Sequence, residues 1–323
     1  MKKRILSGVQ PSGTLHIGNY FGMIKRMIEY QESNDLFLMI ANLHSLTTIT
    51  DKNKLKDLTL NAAIDLLALG VDPDKCHFWV QSDVPEVAEL TWILSCFIPM
   101  GLMERAHSYK DKVSKGIKAS LGLFNYPALM TADILINQTN IVPVGKDQKQ
   151  HVEMARDIAI KFNNNYGDVF VIPESDIDEN VAVIPGTDGQ KMSKSYNNTI
   201  PIFETEKEIK KAVMGIITDS KAVEEKKDPE SCNVYKIYKL FASKSEQKEL
   251  ADKYKSGGMG YGDAKKILLE KIVNTFKPFQ EKREYLVSHP DEVEAILQKG
   301  AEKVRKISLN TLNKVREATG LTY

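Results

Sequence analysis

The sequence predicts an α/β fold in which a parallel sheet with helices on its faces is followed by an all-helical C-terminal part. Three observations carry this. Apolar runs of strand length alternate with helically spaced ones from Arg4 to about Phe203, the pattern that βαβ units with right-handed crossovers leave in a chain. Beyond Phe203 the strand-like runs disappear and amphipathic helical spacing takes over, which places a boundary between residues 1–203 and 204–323. A chain of 323 residues also buries two cores more naturally than one.

Residues 4–9 are a short β-rich run, and residues 19–32 carry Met23, Ile24, Met27 and Ile28 at helical spacing, so the chain opens strand, turn, helix. Residues 35–40 are continuously apolar, as befits a strand covered on both faces. Over residues 54–69, Leu55, Leu58, Ala62, Leu66 and Leu69 share a helical face, and Gly70 followed by Pro73 suits the stop. Residues 76–81 form the third apolar run, and Ser82-Asp83-Val84-Pro85 supplies helix-start chemistry for residues 86–97. Residues 99–125 lose the pattern and carry Lys110, Lys112, Lys115 and Lys118, which reads as an inserted helical segment. Helices are expected again over residues 126–137 and 147–162, and short strands over 169–173 and 181–184.

In the C-terminal part Val234, Ile237, Tyr238 and Phe241 form one helical face, and Ile267, Leu268, Ile272 and Phe276 another that stops before Pro278. Residues 291–319 add one or two more helices. The glycine-dense stretch 256–262 does not follow a strand, so it reads as a linker rather than a phosphate cradle.

Composition narrows the function classes. Hydrophobic residues are 42% and charged residues 27% of the chain, and no run of eighteen or more apolar residues could span a bilayer. Met1-Lys2-Lys3-Arg4 is basic, but the apolar run after it ends at Ser7-Gly8, too short for a secretory signal, so a cytoplasmic protein is expected. Cys76, Cys96 and Cys232 are odd in number and widely spaced; they are expected to be core thiols, not a disulfide framework or a zinc site. A formal net charge of +1 argues against a wholly basic nucleic-acid binder but leaves room for a local basic face.

Two stretches carry chemistry. Gly186-Thr187-Asp188-Gly189-Gln190-Lys191-Met192-Ser193-Lys194-Ser195-Tyr196 puts two lysines and two serine hydroxyls on a segment that glycines leave free to move. Two ammonium groups on such a loop can converge on a polyphosphate. The other, Gln10-Pro11-Ser12-Gly13-Thr14-Leu15-His16-Ile17-Gly18-Asn19-Tyr20, lies where the first strand gives way to a helix. There the backbone N–H groups and the helix dipole face an anion, at the sheet edge where open α/β folds bind ligands. Gly18 allows close approach, His16 and Asn19 add side-chain donors, and Gln10 and Ser12 can reach a ribose or phosphate. Nucleotidyl transfer mostly needs positioning and charge neutralisation, so no general base is required. The sequence shows no convincing Ser-His-Asp set and no metal-ligand cluster; magnesium would arrive with the nucleotide.

Together these stretches resemble the paired signatures of the class I aminoacyl-tRNA synthetases. Asn19 stands where many members have a second histidine, a substitution usual in the tryptophan and tyrosine branch. The stretches 126–135 and 142–151 are similar to the tryptophan side of that branch, and the likeness continues through Thr218-Asp219-Ser220 and Gly260-Tyr261-Gly262. The resemblance implies a Rossmann-type catalytic domain, a helical anticodon-binding domain and a homodimer. It also implies activation of L-tryptophan by ATP with Mg2+, then transfer to its tRNA, with no iron–sulfur cluster because Cys232 alone cannot hold one.

An indole offers one N–H and no acceptor, so its pocket needs one acceptor among apolar walls. Asp133, beside Leu129 and Met130 on a helix, suits this, and the resemblance assigns it that part. By the same resemblance Tyr126 and Gln148 hold the amino acid's ammonium group and Gly145 and Asp147 the ribose side, where Lys146 offers its backbone, while Val183 and Ile184 bracket the adenine through backbone groups. His16, Lys191 and Lys194 are the catalytic set, with Pro11, Met192, Ser193 and Ser195 completing the ATP-binding stretches. Lys112 either reaches the triphosphate or is a surface lysine. Lys146, where many relatives carry an acid, and Asn42, where the family has an Asp-x-His pattern, depart from the resemblance and leave their side-chain roles open.

A phenylalanine ring would forfeit roughly 1–2 kcal/mol of apolar contact and leave Asp133 unpaired, at about 1–3 kcal/mol more. The segment between the signatures is too short for an editing domain, and none is expected. Two other readings stay open: a tyrosine-specific enzyme of the sister branch, which the stretches around Asp133 and Val142 disfavour, and a non-catalytic relative, which has no physical need for His16, Asp133, Lys191 and Lys194 together.

Overall fold

The computed structural model describes residues 2–104, 119–177 and 184–323. Five strands, β1 (Arg4–Val9), β2 (Asp35–Ile40), β3 (Cys76–Val80), β4 (Ile141–Pro143) and β5 (Glu174–Asp176), form one parallel sheet in the order β3-β2-β1-β4-β5. The continuous apolar run of β2 has a simple cause. Leu36, Leu38 and Ile40 point into one core with Ile5 and Val9, while Phe37 and Met39 point into a second core with Leu6 and Trp79, so neither face can be polar. The register pairs Val9 with Ile40 and Ile40 with Val80, which brings the carboxyl ends of β1, β2 and β3 to one edge.

Helical structure begins at Ile17–Asn19, widens into a π turn at Tyr20–Ile24 and continues as Lys25–Ser33. Asp51 caps Lys52–Ala68 by accepting from the Lys54 N–H, and Gly70 follows at φ +115°, a conformation that ends helices. Several expectations need correction. The helix expected from residue 126 starts earlier, as Leu121–Ile136 capped by Ser120, so residues 121–125 are not irregular; Pro127 in its interior had masked the periodicity. Residues 169–173 are not a strand. Asn163 and Gln138 side chains bond Val169, Phe170 and Val171 instead, and pairing waits until β5. Of the strand expected at 181–184, residues 181–183 lie outside the described residues and Ile184 is not in a strand. The helix expected to stop before Pro278 runs through it as Tyr261–Ser288. Cys76 and Cys232 are buried thiols, but Cys96 is exposed.

The last helix, Pro290–Thr319, leaves the helical part and returns to the sheet. Its Ala301, Val304, Leu312 and Val315 enter the core that holds Leu6, Phe37 and Trp79, and Arg305 and Arg316 pair with Glu86 and Glu89 at 2.8 and 2.5 Å. It covers β3, the edge strand, and Gly300 makes that possible: a Cβ there would lie 1.8 Å from the Phe78 carbonyl oxygen. Gly300→Ala is therefore expected to push the helix off the strand and cost about 3 kcal/mol or more, read as a lowered denaturation midpoint. An unchanged midpoint would show that the contact is not tight. No helix among the described residues is long and apolar enough to cross a membrane.

Candidate active site

The strand order reverses between β1 and β4, and a crevice at the carboxyl ends of such neighbours is where open α/β sheets bind ligands. The turn after β1 carries residues 10–19 and the turn after β4 carries residues 145–148, so the topology places both at that crevice.

The lysine loop closes on the first signature from the other side. Lys194 Nζ donates to the Ser12 carbonyl at 3.2 Å. Met192 is buried, its N–H donates to the Ile184 carbonyl at 2.8 Å, and its sulfur would lie 3.3 Å from a Cβ on Gly18. The same Cβ would lie 2.9 Å from His16 Nδ1, so Gly18 is the residue that lets His16 and Met192 share the space. Asn19 Oδ1 accepts from the His16 N–H at 3.1 Å and so closes the helix start. Buried Asn198 braces the loop: its Oδ1 accepts from Ser193 N–H at 2.7 Å, and its Nδ2 donates to Asp188 at 2.7 Å and the Lys191 carbonyl at 3.1 Å. Ser193 Oγ in turn accepts from the Ser195 N–H. Gln10 and Ser12 are exposed and Pro11 is buried beneath them.

Burial first, and the nearby Lys194 charge second, lower the His16 pKa to about 4, and burial lowers that of Lys194 against the pull of Asp65. His16 Nδ1 is buried and has no hydrogen-bond partner among the described residues. A histidine neutral in the folded state and near its ordinary value when unfolded binds more protons unfolded, so its contribution to stability is full above about pH 6.5 and is lost as pH falls through about 4. A titration of the His16 ring by NMR is expected to show no protonation step between pH 6 and 7; a midpoint there would contradict this environment.

The second cluster forms around Asp133, buried on the helix Leu121–Ile136. Gln81 Nε2 donates to its two carboxylate oxygens at 2.9 and 2.8 Å, and His44 Nε2 lies 2.9 Å from Oδ2. The ring of His44 meets Tyr126 edge-on at 6.2 Å, and the Tyr126 hydroxyl bonds His151 Nε2 at 2.7 Å. Burial raises the Tyr126 pKa, so the phenol stays protonated. Met130 is half-buried on the same helix. After β4, Gln148 Nε2 donates to Asp147 Oδ2 at 2.9 Å, and a Cβ on Gly145 would lie 2.7 Å from Asp147 Oδ1. Lys146 and Lys191 are exposed. Lys112 and Val183 lie outside the described residues.

Gln81, His44 and Asn198 are the residues that the sequence reading did not place in the site. Gln81 and His44 follow the ends of β3 and β2, and the shared sheet edge is the signal that could have found them. Asn42 also acquires a part: its amide exchanges hydrogen bonds with Ser82 Oγ at 2.8 Å and Ser82 N–H at 3.1 Å, tying those two strand ends together.

A family model described as class I tRNA synthetases (W and Y) matches residues 1–277. The chain is 57% identical over 319 residues to the tryptophan–tRNA ligase of Campylobacter jejuni strain RM1221, covering 98% of this chain and 100% of that one. To the tryptophan–tRNA ligase of Fusobacterium nucleatum it is 53% identical over 320 residues, covering 99% and 98%. Among solved structures, the C. jejuni tryptophanyl-tRNA synthetase complexed with ADP and tryptophan superposes with a TM-score of 0.95 at 56% identity, covering 98% of this chain and 99% of that one. The Mycoplasma pneumoniae enzyme gives 0.83 at 30% identity, covering 99% and 98%. With both signatures meeting at the switch point of a parallel sheet and the likeness running the length of the chain, the protein belongs to the class I tRNA synthetases of the tryptophan and tyrosine branch.

Proposed function

We propose that the chain joins L-tryptophan to the tRNA for tryptophan in two steps. A tryptophan carboxylate oxygen attacks the α-phosphorus of ATP, the bond to the bridging oxygen breaks, and pyrophosphate leaves. A terminal ribose hydroxyl of the tRNA then attacks the adenylate's carbonyl carbon, and AMP leaves. The observation that carries the choice of tryptophan is Asp133. Of the roughly four lone-pair sites on a carboxylate, Gln81 and His44 occupy three, which leaves capacity for one further donor, as an indole N–H requires.

In this reading Lys191 and Lys194 neutralise the charge that develops on the leaving pyrophosphate, and neutral His16 sits among the phosphates without adding charge. Gln10, Pro11, Ser12, Gly18, Asn19, Met192, Ser193 and Ser195 form the walls of the ATP site, and Lys112, outside the described residues, is assigned to the triphosphate. Gly145, Lys146, Asp147, Val183 and Ile184 take the adenosine, and Tyr126, Met130, Asp133 and Gln148 the tryptophan. Magnesium enters with ATP as part of the substrate. Residues 1–203 are the catalytic domain and residues 204–323 supply the helical part that meets the anticodon end of the tRNA, its last helix, Pro290–Thr319, returning to pack on the sheet. A homodimer is supported by Trp92, Met100 and Leu121, large apolar side chains that are 72%, 64% and 80% exposed and would be covered by a second copy. The cytoplasm is the compartment proposed.

The test is exchange of labelled pyrophosphate into ATP without tRNA, with tryptophan, tyrosine or phenylalanine. Exchange with tryptophan alone is expected. Exchange with tyrosine would move the chain to the sister specificity, and none with any of them would remove the activation step.

A further inference from the structure

The two signature stretches are far apart in sequence and are held together by the segment that follows the lysine loop, residues 200–204. The Ile17 N–H donates to the Ile200 carbonyl at 3.0 Å and the Ile202 N–H to the Leu15 carbonyl at 3.2 Å, so His16 and Pro201 form an isolated antiparallel bridge. Ile200 and Ile202 are fully buried. This strap sets where the lysine loop leaves the first signature.

The helix Tyr261–Ser288 grips the strap from the other side. Gln280 Nε2 donates to the Ile202 carbonyl at 3.2 Å and to the Glu204 carbonyl at 3.4 Å. One turn on, the Arg283 guanidinium lies 5.2 Å from the centre of the Phe203 ring, its Nε donates to Asp65 Oδ1 at 2.6 Å, and its Nη2 reaches Asn61 at 3.4 Å. Asp65 is buried on the helix Lys52–Ala68, which packs against the sheet. Asp65 is buried while the Arg283 side chain keeps 26% exposure; such a pair is a poor source of stability compared with apolar packing of the same volume, but its direction fixes a register. Asp65 also faces the lysine loop electrostatically, since its charge acts on Lys194.

We propose that Arg283 and Asp65 are positioning residues for the nucleotide site: the pair fixes the strap, and the strap fixes the register in which the lysine loop meets the His16 turn. Neither residue belongs to the two signatures, and Arg283 lies in the helical part. The role is specific to ATP, because Asp133 lies on the helix Leu121–Ile136 and its partners His44 and Gln81 follow β2 and β3, none of which the strap touches through a hydrogen bond among the described residues. The inference rests on the proposed activation step only for its kinetic readout.

The test compares wild-type protein with R283Q, R283K, D65N and the R283Q/D65N double variant. Backbone hydrogen exchange at Ile17 and Ile202 is measured without substrates, alongside the melting temperature. Exchange at those two amides is expected to speed up about tenfold in R283Q and D65N, with the double variant no worse than the singles because one pair is broken in each case. In pyrophosphate exchange the KM for ATP is expected to rise about tenfold while that for tryptophan changes less than twofold. R283K, which keeps the charge but cannot lie flat on Phe203 and fork to Asp65 and Asn61, is expected to fall between, and it carries the test if R283Q does not fold. Unchanged exchange at Ile17 and Ile202 would overturn the proposal whether or not the wild type is active. So would a parallel rise of both KM values together with a lowered melting temperature, the mark of a merely structural contact.

Discussion

Lys194→Ala is expected to lower kcat for tryptophan-dependent pyrophosphate exchange about 100- to 1,000-fold, the scale of one lost transition-state donor, with little change in the KM for tryptophan. Lys194 is one of the groups through which the two signatures touch, by its bond to the Ser12 carbonyl. That bond is weak and replaceable, a neutral acceptor for a full charge. As negative charge moves onto the leaving pyrophosphate, its oxygens offer the ammonium group a far better partner, so the gain appears in the transition state rather than in ground-state binding. The variant has a second, independent signature. Lys194 helps hold the His16 pKa down, so the His16 titration should move up from about 4 in Lys194→Ala, though not to the ordinary value, because burial is the larger cause. Steady-state kinetics and an NMR titration read the two effects. A kcat loss below tenfold would remove Lys194 from the chemical step.

Asp133→Asn is expected to lower kcat/KM for tryptophan about 10- to 100-fold, the range for a hydrogen bond to a charged group, and to shrink the preference for tryptophan over phenylalanine by a similar factor. The substitution is nearly isosteric, so the effect is electronic. Gln81 donates to both oxygens of the carboxylate; in the amide one of those atoms becomes an NH2 that faces another donor. The amide must then turn its remaining oxygen either to Gln81 or to the indole. Asp133→Ala would leave the Gln81 amide buried without its acceptor and cost about 1–3 kcal/mol of stability as well. Competition between tryptophan and phenylalanine in pyrophosphate exchange, together with a denaturation midpoint for each variant, separates the two consequences. Equal losses for both amino acids would mean that Asp133 shapes the pocket without reading the indole.

The sequence by itself determined β1 and β2 to the residue and β3 to within one, and singled out the stretches 10–19 and 186–196, because each depends on neighbours in the chain. Continuous apolar runs, 3.6-residue periodicity and a stop at Gly70 are local properties, and they survive folding unchanged. The resemblance of 126–135 and 142–151 could likewise point to Asp133 without knowing what surrounds it. Where tertiary partners override local preference, the reading failed. Val169, Phe170 and Val171 look like a strand, yet Asn163 and Gln138 take their backbone groups. Pro278 looks like a break, yet the helix Tyr261–Ser288 runs through it.

Only the tertiary structure decided how the pieces act together. Gln81 and His44 reach Asp133 because three strands end at one edge in register, and nothing in the spacing of those residues along the chain records it. Gly300 matters because a helix from the end of the chain lies on the backbone of an edge strand, and Arg283 because it meets Asp65 across two helices. Local spacing specifies which face a side chain takes; which partner that face meets is set by strand order and helix packing, and those are fixed only when the whole core closes.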